Sequence, residues 1–251
     1  MSEPSKVVLI TGANRGLGLQ LVKDFARHGV TVLAGCRDLV RGHIAVAGIA
    51  GDVHVVQLDV TNRGSINAAA ARIEAEFGHL NVLLNSAAIS NTRMTPGMSI
   101  KDYLAISAAS QIELEEMRAI WETNVFGVLA VSQAMLPLLR KAPYARIVNI
   151  AGGSLTENAD PAFPFRGFFT PGYAASKTAL NAITMAFSIE LETSTVKVNA
   201  VLPGSTPTQI NGFMGGDSVE AAVTEVLRVA LAGDEVPNGT FTRATNVTVP
   251  W

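Results

Sequence analysis

Six short runs of aliphatic and β-branched residues recur along the chain, at residues 6–11, 30–34, 53–58, 80–85, 145–150 and 195–201. They are mostly uninterrupted rather than alternating with polar residues, so each must be buried on both faces. Strands of that kind belong to a parallel sheet with helices on either side. Helical stretches stand between them, at 16–28, 62–77, 113–140 and 171–192, the last expected to carry Pro171 in its first turn, where a missing N–H costs nothing. A further stretch, 218–232, spaces Val219, Val223, Val226, Leu227 and Ala230 as an amphipathic helix that covers the sheet. This alternation predicts an α/β fold built on a doubly wound parallel sheet.

A chain of 251 residues suits one such unit, so 1–251 is expected to form a single domain. The irregular stretches 90–110 and 205–217 both follow strand C-termini, the edge at which open α/β sheets bind ligands, and are expected to wall a substrate pocket. Formal net charge is −2 with Lys and Arg scattered, which argues against nucleic acid and against a membrane surface and leaves a small molecule as partner. Cys36 is the single cysteine, and His28, His43, His54 and His79 lack metal-ligand spacing, so neither a disulfide nor a metal is expected. Residues 1–6 carry no apolar leader, and no run reaches the roughly 18 apolar residues of a membrane span, which predicts a cytoplasmic location.

The turn after the first run reads LITGANRGLG and puts Gly12, Gly16 and Gly18 between a strand and a helix. Glycines there permit a tight turn, close approach of backbone to a pyrophosphate and close helix-to-strand packing, while the helix N-terminus offers open N–H donors. This predicts a Rossmann-like dinucleotide site. An NAD site usually ends its second strand on an acid; here GCRD puts Arg37 ahead of Asp38, and Arg15 lies in the glycine loop. Two guanidiniums suit a ribose 2′-phosphate, so NADPH/NADP+ is the expected cofactor. Asp59, in QLDVT, ends the third strand and is expected to meet the adenine amino group, or to cap the next helix, or both. Cys36 reads as a small buried filler.

Tyr173 and Lys177, in YAASK, lie four apart on one helical face. A carbonyl reductase needs an acid whose pKa has been brought toward neutral, and a cation beside a phenol favours the phenolate. In the glycine loop, LDVT, YAASK, TNVFG around Asn124 and VNAVLPG together, the chain resembles the short-chain dehydrogenase/reductase family over essentially its full length. The resemblance implies an NADP-preferring oxidoreductase with Tyr173 as acid, Lys177 as the group that shifts its pKa and holds the nicotinamide ribose, and Asn124 as anchor of a proton relay. It implies cofactor contacts from Asn14, Arg15 and Leu17 beside the glycines, from Val60 beside Asp59, and from Asn85, Ser86 and Ala87. Near the nicotinamide it adds Pro203, Gly204, Thr206 and Thr208. It also implies pro-S hydride delivery and a homodimer or homotetramer through the helices at 113–140 and 171–192.

Three departures from the family pattern stand out. The NNAG strip reads NSAA, residues 85–88, with Ala88 in place of glycine. The segment between Asn85 and Asn124 is longer than usual, suggesting an added wall or lid. The Ser pair expected after the fifth strand aligns with Ala151 and Gly152, leaving Ser154 either as a displaced catalytic hydroxyl or as a residue that merely turns the chain. Loss of such a donor costs about 10²- to 10³-fold in rate, so a slow reductase is still compatible with the site. The leading reading is reduction of a ketone or aldehyde of a small, apolar molecule. An imine or iminium reductase is the first alternative, with Phe163, Phe165, Phe168 and Phe169 as an aromatic lining. A non-catalytic NADPH-binding module is the second.

Overall fold

The computed structural model describes residues 6–95, 97–152, 154–204, 216 and 218–251. One eight-stranded sheet runs in the order β3-β2-β1-β4-β5-β6-β7-β8. Its strands are β1 (Val7–Thr11), β2 (Thr31–Cys36), β3 (Val53–Gln57), β4 (Val82–Asn85), β5 (Ala145–Ile150), β6 (Val196–Leu202), β7 (Phe241–Arg243) and β8 (Val247–Thr248). Every pairing is parallel except the last, β7 with β8. The order reverses at β1, which puts a crevice between the ends of β1 and β4.

Along β1 the side chains part by strand parity. Val8 and Ile10 join one core with Leu21 and Phe25 of α1 (Gly16–Arg27) and Val223, Val226 and Val229 of α9 (Val219–Leu231). Val7 and Leu9 join another with Ile66 and Ile73 of α3 (Arg63–Phe77), Val131 and Met135 of α6 (Val128–Leu139) and Phe187 of α8 (Tyr173–Glu190). Each such Val or Leu contributes about 1.5–3 kcal/mol on burial, which is why the strands need no polar alternation.

Helix ends follow their caps. The Asn62 side chain accepts from Ser65 N–H to open α3, and Gly78 at φ +76° closes it. Asp38 accepts from Arg41 N–H and opens a helix not anticipated from the sequence, α2 (Leu39–Val46). Ser218 does the same for α9.

The stretch expected as one helix over 113–140 is α5 (Leu114–Trp121), a π-helical turn (Glu122–Gly127) and α6 in succession. Leu114–Leu139 is long and apolar enough to cross a membrane by length and composition, yet half of its most apolar window is buried within the fold. Its hydropathy answers to the sheet, since α6 packs on α3, β4 and β5. Residues 90–110, expected to be irregular, contain α4 (Ile100–Ile106) behind a Ser99 cap. Pro171 does not lie in the first turn of α8: the helix starts at Tyr173, two residues later, with Gly172 as its N-cap.

Candidate active site

The glycine turn is built as its spacing implies. Gly12 has φ +67°, and a Cβ on it would stand 2.8 Å from Ala87 Cα, so only glycine lets the turn after β1 approach the turn after β4. A Cβ on Gly18 would meet the Gly12 carbonyl oxygen at 2.4 Å, which fixes the close seat of α1 on β1. Gly16 has φ +52°, Leu17 packs against the core, and Asn14 is half-buried. Arg15 is the N-cap of α1 with no side-chain cap bond among the described residues, and N–H groups in a helix's first turn are the kind that can take an anion. The Thr11 hydroxyl accepts from the N–H groups of Ser86 and Ala87, both at 3.0 Å, and clasps the two turns together.

In the turn after β2, Asp38 is committed to capping α2 and to Arg41, 3.7 Å away. Arg37 is exposed and lines a groove of about 570 Å³ with Leu39, Asp59, Asn62, Ser65 and Arg72. Asp59 does not cap α3, because Asn62 holds that position. Its carboxylate instead closes a local turn, accepting from Thr61 N–H at 3.0 Å and Thr61 Oγ1 at 2.7 Å. Val60 lends its carbonyl to a close approach, 2.9 Å from where a Cβ on Gly127 would stand. Cys36 is buried, and desolvation pushes its thiol up to about 11, as a filler requires.

Below the crevice a buried polar chain links the sheet to its helices. Asn85 Nδ2 donates to Asn149 Oδ1 at 2.8 Å and to Ser132 Oγ at 3.1 Å, and Asn149 Nδ2 donates to Thr184 Oγ1 at 2.8 Å. Asn124 lies in the π-helical turn, fully buried. Its Oδ1 accepts from Ile89 N–H at 2.9 Å, and its Nδ2 donates to Ile89 O at 2.8 Å and to Ser176 Oγ at 3.0 Å. Ser176 Oγ donates in turn to the Tyr173 carbonyl at 2.6 Å. The turn that interrupts the long helix thus ties the segment after β4 to the first turn of α8.

Tyr173, half-buried, is the first residue of α8, where the positive end of the helix favours an anion. Lys177 is 3% exposed; its Nζ donates to Ile150 O at 2.7 Å and stands 5.8 Å from the Tyr173 ring centroid. Burial acts on the two in opposite senses, pushing the phenol up to about 12 and the ammonium down to about 8. At neutral pH this leaves a protonated phenol beside a cation; the phenol is not brought toward neutral as the resemblance implies, because desolvation raises it and Lys177, 5.8 Å from the ring centroid, does not offset that rise.

Ser154 caps a short helix, α7 (Leu155–Ala159), fully buried, with its Oγ accepting from Glu157 N–H at 3.2 Å. None of its hydrogen bonds among the described residues reaches Tyr173 or Lys177. Gly152, where the family pattern has a serine, lies against the Lys177 stem: a Cβ there would meet Lys177 Cγ at 3.2 Å. Phe163 and Phe165 pack edge to face with centroids 5.8 Å apart, and Phe165 and Phe168 are exposed. Pro203 and Gly204, the latter at φ +86°, follow β6. Thr206 and Thr208 lie outside the described residues.

A family model for the short chain dehydrogenases matches residues 6–217. The chain belongs to that family. Among its relatives, a short-chain dehydrogenase of Penicillium roqueforti, anuI, is 31% identical over 90% of this chain and 89% of its own. The salutaridine reductase of Papaver somniferum is 27% identical over 94% of this chain and 93% of its own. In structure, the NADPH-bound carbonyl reductase from chicken fatty liver aligns with a TM-score of 0.76 at 27% identity, over 98% of this chain and 99% of that one. This short-chain dehydrogenase is therefore an oxidoreductase of a family that uses nicotinamide cofactors.

Reading the sequence alone passed over Thr11, Asn149, Ser176 and Thr184. Thr11 and Ser176 stand inside the quoted motifs TGANRGLG and YAASK, but their partners are 75 and 52 residues away.

Proposed function

We propose that this chain is an NADPH-dependent reductase of the carbonyl group of a small apolar ketone or aldehyde, with Tyr173 as the acid. The observation that carries this reading is the Tyr173–Lys177 pair, a phenol at a helix N-terminus with a buried ammonium held to the end of β5 by Ile150 O. The residues around the crevice fit a dinucleotide. The open N–H groups after Arg15, with Gly12, Asn14, Gly16, Leu17 and Gly18, suit the pyrophosphate. Arg37 suits a 2′-phosphate because Asp38, the natural acceptor for a free ribose hydroxyl, is occupied as a helix cap. Asp59 and Val60 border the adenine, the turn at Asn85, Ser86 and Ala87 backs the middle of the cofactor, and Pro203 and Gly204 border the nicotinamide.

The cofactor, when bound, supplies hydride to the carbonyl carbon. Tyr173 polarises the carbonyl oxygen by donating its hydroxyl proton and transfers that proton as the alkoxide develops. Lys177 stabilises the phenolate that remains, and Asn124 holds the backbone on which Tyr173 is mounted. NADPH oxidation against a panel of ketones, aldehydes and cyclic imines tests the assignment. Tyr173→Phe is expected to abolish ketone turnover with NADPH affinity within twofold of wild type; undiminished turnover would remove Tyr173 as the acid.

A second reading, reduction of an imine or iminium, is favoured by the engagement of Ser154 as a cap and by the contact of Gly152 with Lys177, which leave the end of β5 without the family's substrate-facing hydroxyl. An iminium carbon is already electrophilic and does not require an oxygen to be held. Turnover of cyclic imines but not ketones, unchanged in Ser154→Ala, would select it.

A further inference from the structure

We infer that Glu116 is a positioning residue that sets which substrates fit, by fastening the wall over residues 90–110 to α5. The inference rests on the reductase reading above and on the expectation from the sequence that this wall borders the substrate.

Glu116 is an unusual member of its helix. Its neighbours Glu113 and Glu115 are exposed and pair with Arg93 and Arg118, at 2.6 Å and 3.2 Å. Glu116 is 5% exposed and has no ion pair among the described residues. A carboxylate taken out of water without a cation is costly unless hydrogen bonds replace its hydration, and an aliphatic side chain would fill the same place more cheaply. Both of its oxygens are spent on one residue: Oε1 accepts from Thr92 N–H at 2.7 Å, and Oε2 accepts from the Thr92 hydroxyl. Hydrogen bonds to an ionised acceptor are short, strong and directional, so they fix the place of the Thr92 backbone more tightly than apolar packing would.

Thr92 belongs to a connected unit. Asn91 Nδ2 donates to Ser90 Oγ at 2.9 Å, and the Tyr103 hydroxyl on α4 donates to Ser90 O at 2.8 Å, folding α4 back over the start of the wall. The other end of α5 holds the acid. Trp121 Nε1 donates to Pro171 O at 3.2 Å, and Ile120 Cδ1 lies 2.8 Å from where a Cβ on Gly172 would stand. Helix α5 is therefore one rigid rod with the wall fastened at Glu116 and the N-terminus of α8 fastened at Ile120 and Trp121. The distance between wall and Tyr173 is set through it.

Steady-state kinetics with NADPH, using cyclohexanone and the fused two-ring ketone 2-decalone, test this on wild type, Glu116→Gln, Thr92→Val and Thr92→Ser. Thr92→Val removes one of the two bonds while keeping shape, whereas Glu116→Gln removes the charge that strengthens both and turns an amide donor toward the Thr92 hydroxyl, and either serves if the other fails to fold. Both are expected to raise KM for 2-decalone about tenfold, with kcat, KM for cyclohexanone and Kd for NADPH within twofold of wild type. Thr92→Ser keeps both donors and is expected to match wild type. Amide hydrogen exchange over 90–110 is expected to quicken in Glu116→Gln and not in Thr92→Ser. Equal KM changes for the two ketones, no KM change, or unchanged exchange overturns the role of Glu116. Wild type inert toward every ketone and aldehyde overturns the reductase reading itself, and this inference with it.

Discussion

Lys177 is a buried cation that donates to a neutral carbonyl, Ile150 O, and that combination ties activity to pH. With its pKa pushed down to about 8, the ammonium is present at neutral pH and lost above it. Ketone reduction is therefore expected to fall about tenfold per pH unit above pH 8, and a rate profile of wild type against Lys177→Met checks this, because the variant should be slow and lack that limb. Folding stability carries the same group with its own sign. Between about pH 8 and 10.5 the unfolded chain holds a proton on this lysine that the folded chain has released, so its contribution to stability rises with pH across that window. Tyr173 opposes it from pH 10 to about 12, where the folded phenol keeps a proton the unfolded one loses. Four residues along α8, Asn181 is 3% exposed, and neither its amide nitrogen nor its oxygen has a hydrogen-bond partner among the described residues. Such a group costs about 1–3 kcal/mol, so Asn181→Leu, nearly isosteric, is expected to raise stability by that order in denaturant titration.

At the scale of elements, the decisive pieces are short and irregular. The turn after β2 divides two charges between two tasks: Asp38 starts α2, and Arg37 is left facing the groove it shares with Asp59. Arg37→Asp is expected to raise KM for NADPH about 10- to 100-fold while leaving KM for NADH nearly unchanged, the magnitude of one or two lost charge-assisted bonds. Equal wild-type affinity for the two cofactors would end the 2′-phosphate argument. The π-helical turn converts one long helix into two that meet at Asn124, whose amide reaches segments 35 and 52 residues away. Neither element has a periodic signature, since a five- or six-residue feature is shorter than the window over which periodicity is measured. Helix α2 was missed for the same reason, and so were β7 and β8, of three and two residues.

At the scale of the molecule, one sheet gathers the crevice, the polar chain and the Tyr173–Lys177 pair at the C-terminal edge of β1, β4 and β5. The faces turned outward from it carry large apolar residues: Leu114 and Phe126 along the α5–α6 stretch and Ile189 on α8, with Phe126 53% and Ile189 66% exposed. We propose that these helices pair in a homodimer or homotetramer, which would cover that surface. Phe126→Asp is expected to shift the molecular mass measured by light scattering toward the monomer. A wild type already monomeric at micromolar concentration would refute the assembly.

What the sequence by itself determined is the part carried by local chemistry and by repetition. Uninterrupted β-branched runs demanded burial on both faces, glycines marked the turn that only they can make, and a Tyr and a Lys four apart on a helix had to share a face. Those constraints act within a few residues, so six strands, the main helices and the shared helical face of Tyr173 and Lys177 were legible. Only the tertiary structure decided which neighbour each polar group meets. Ser154, equally compatible from the sequence with chemistry and with turning the chain, is bonded to Glu157 as a cap, while Gly152 packs on the stem of Lys177. Asp59 ceded the cap of α3 to Asn62, and Glu116 spent its charge on Thr92. The physical reason is common to all of them: a hydrogen bond forms with whatever the packed chain brings within about 3 Å, and sequence separation does not encode that proximity.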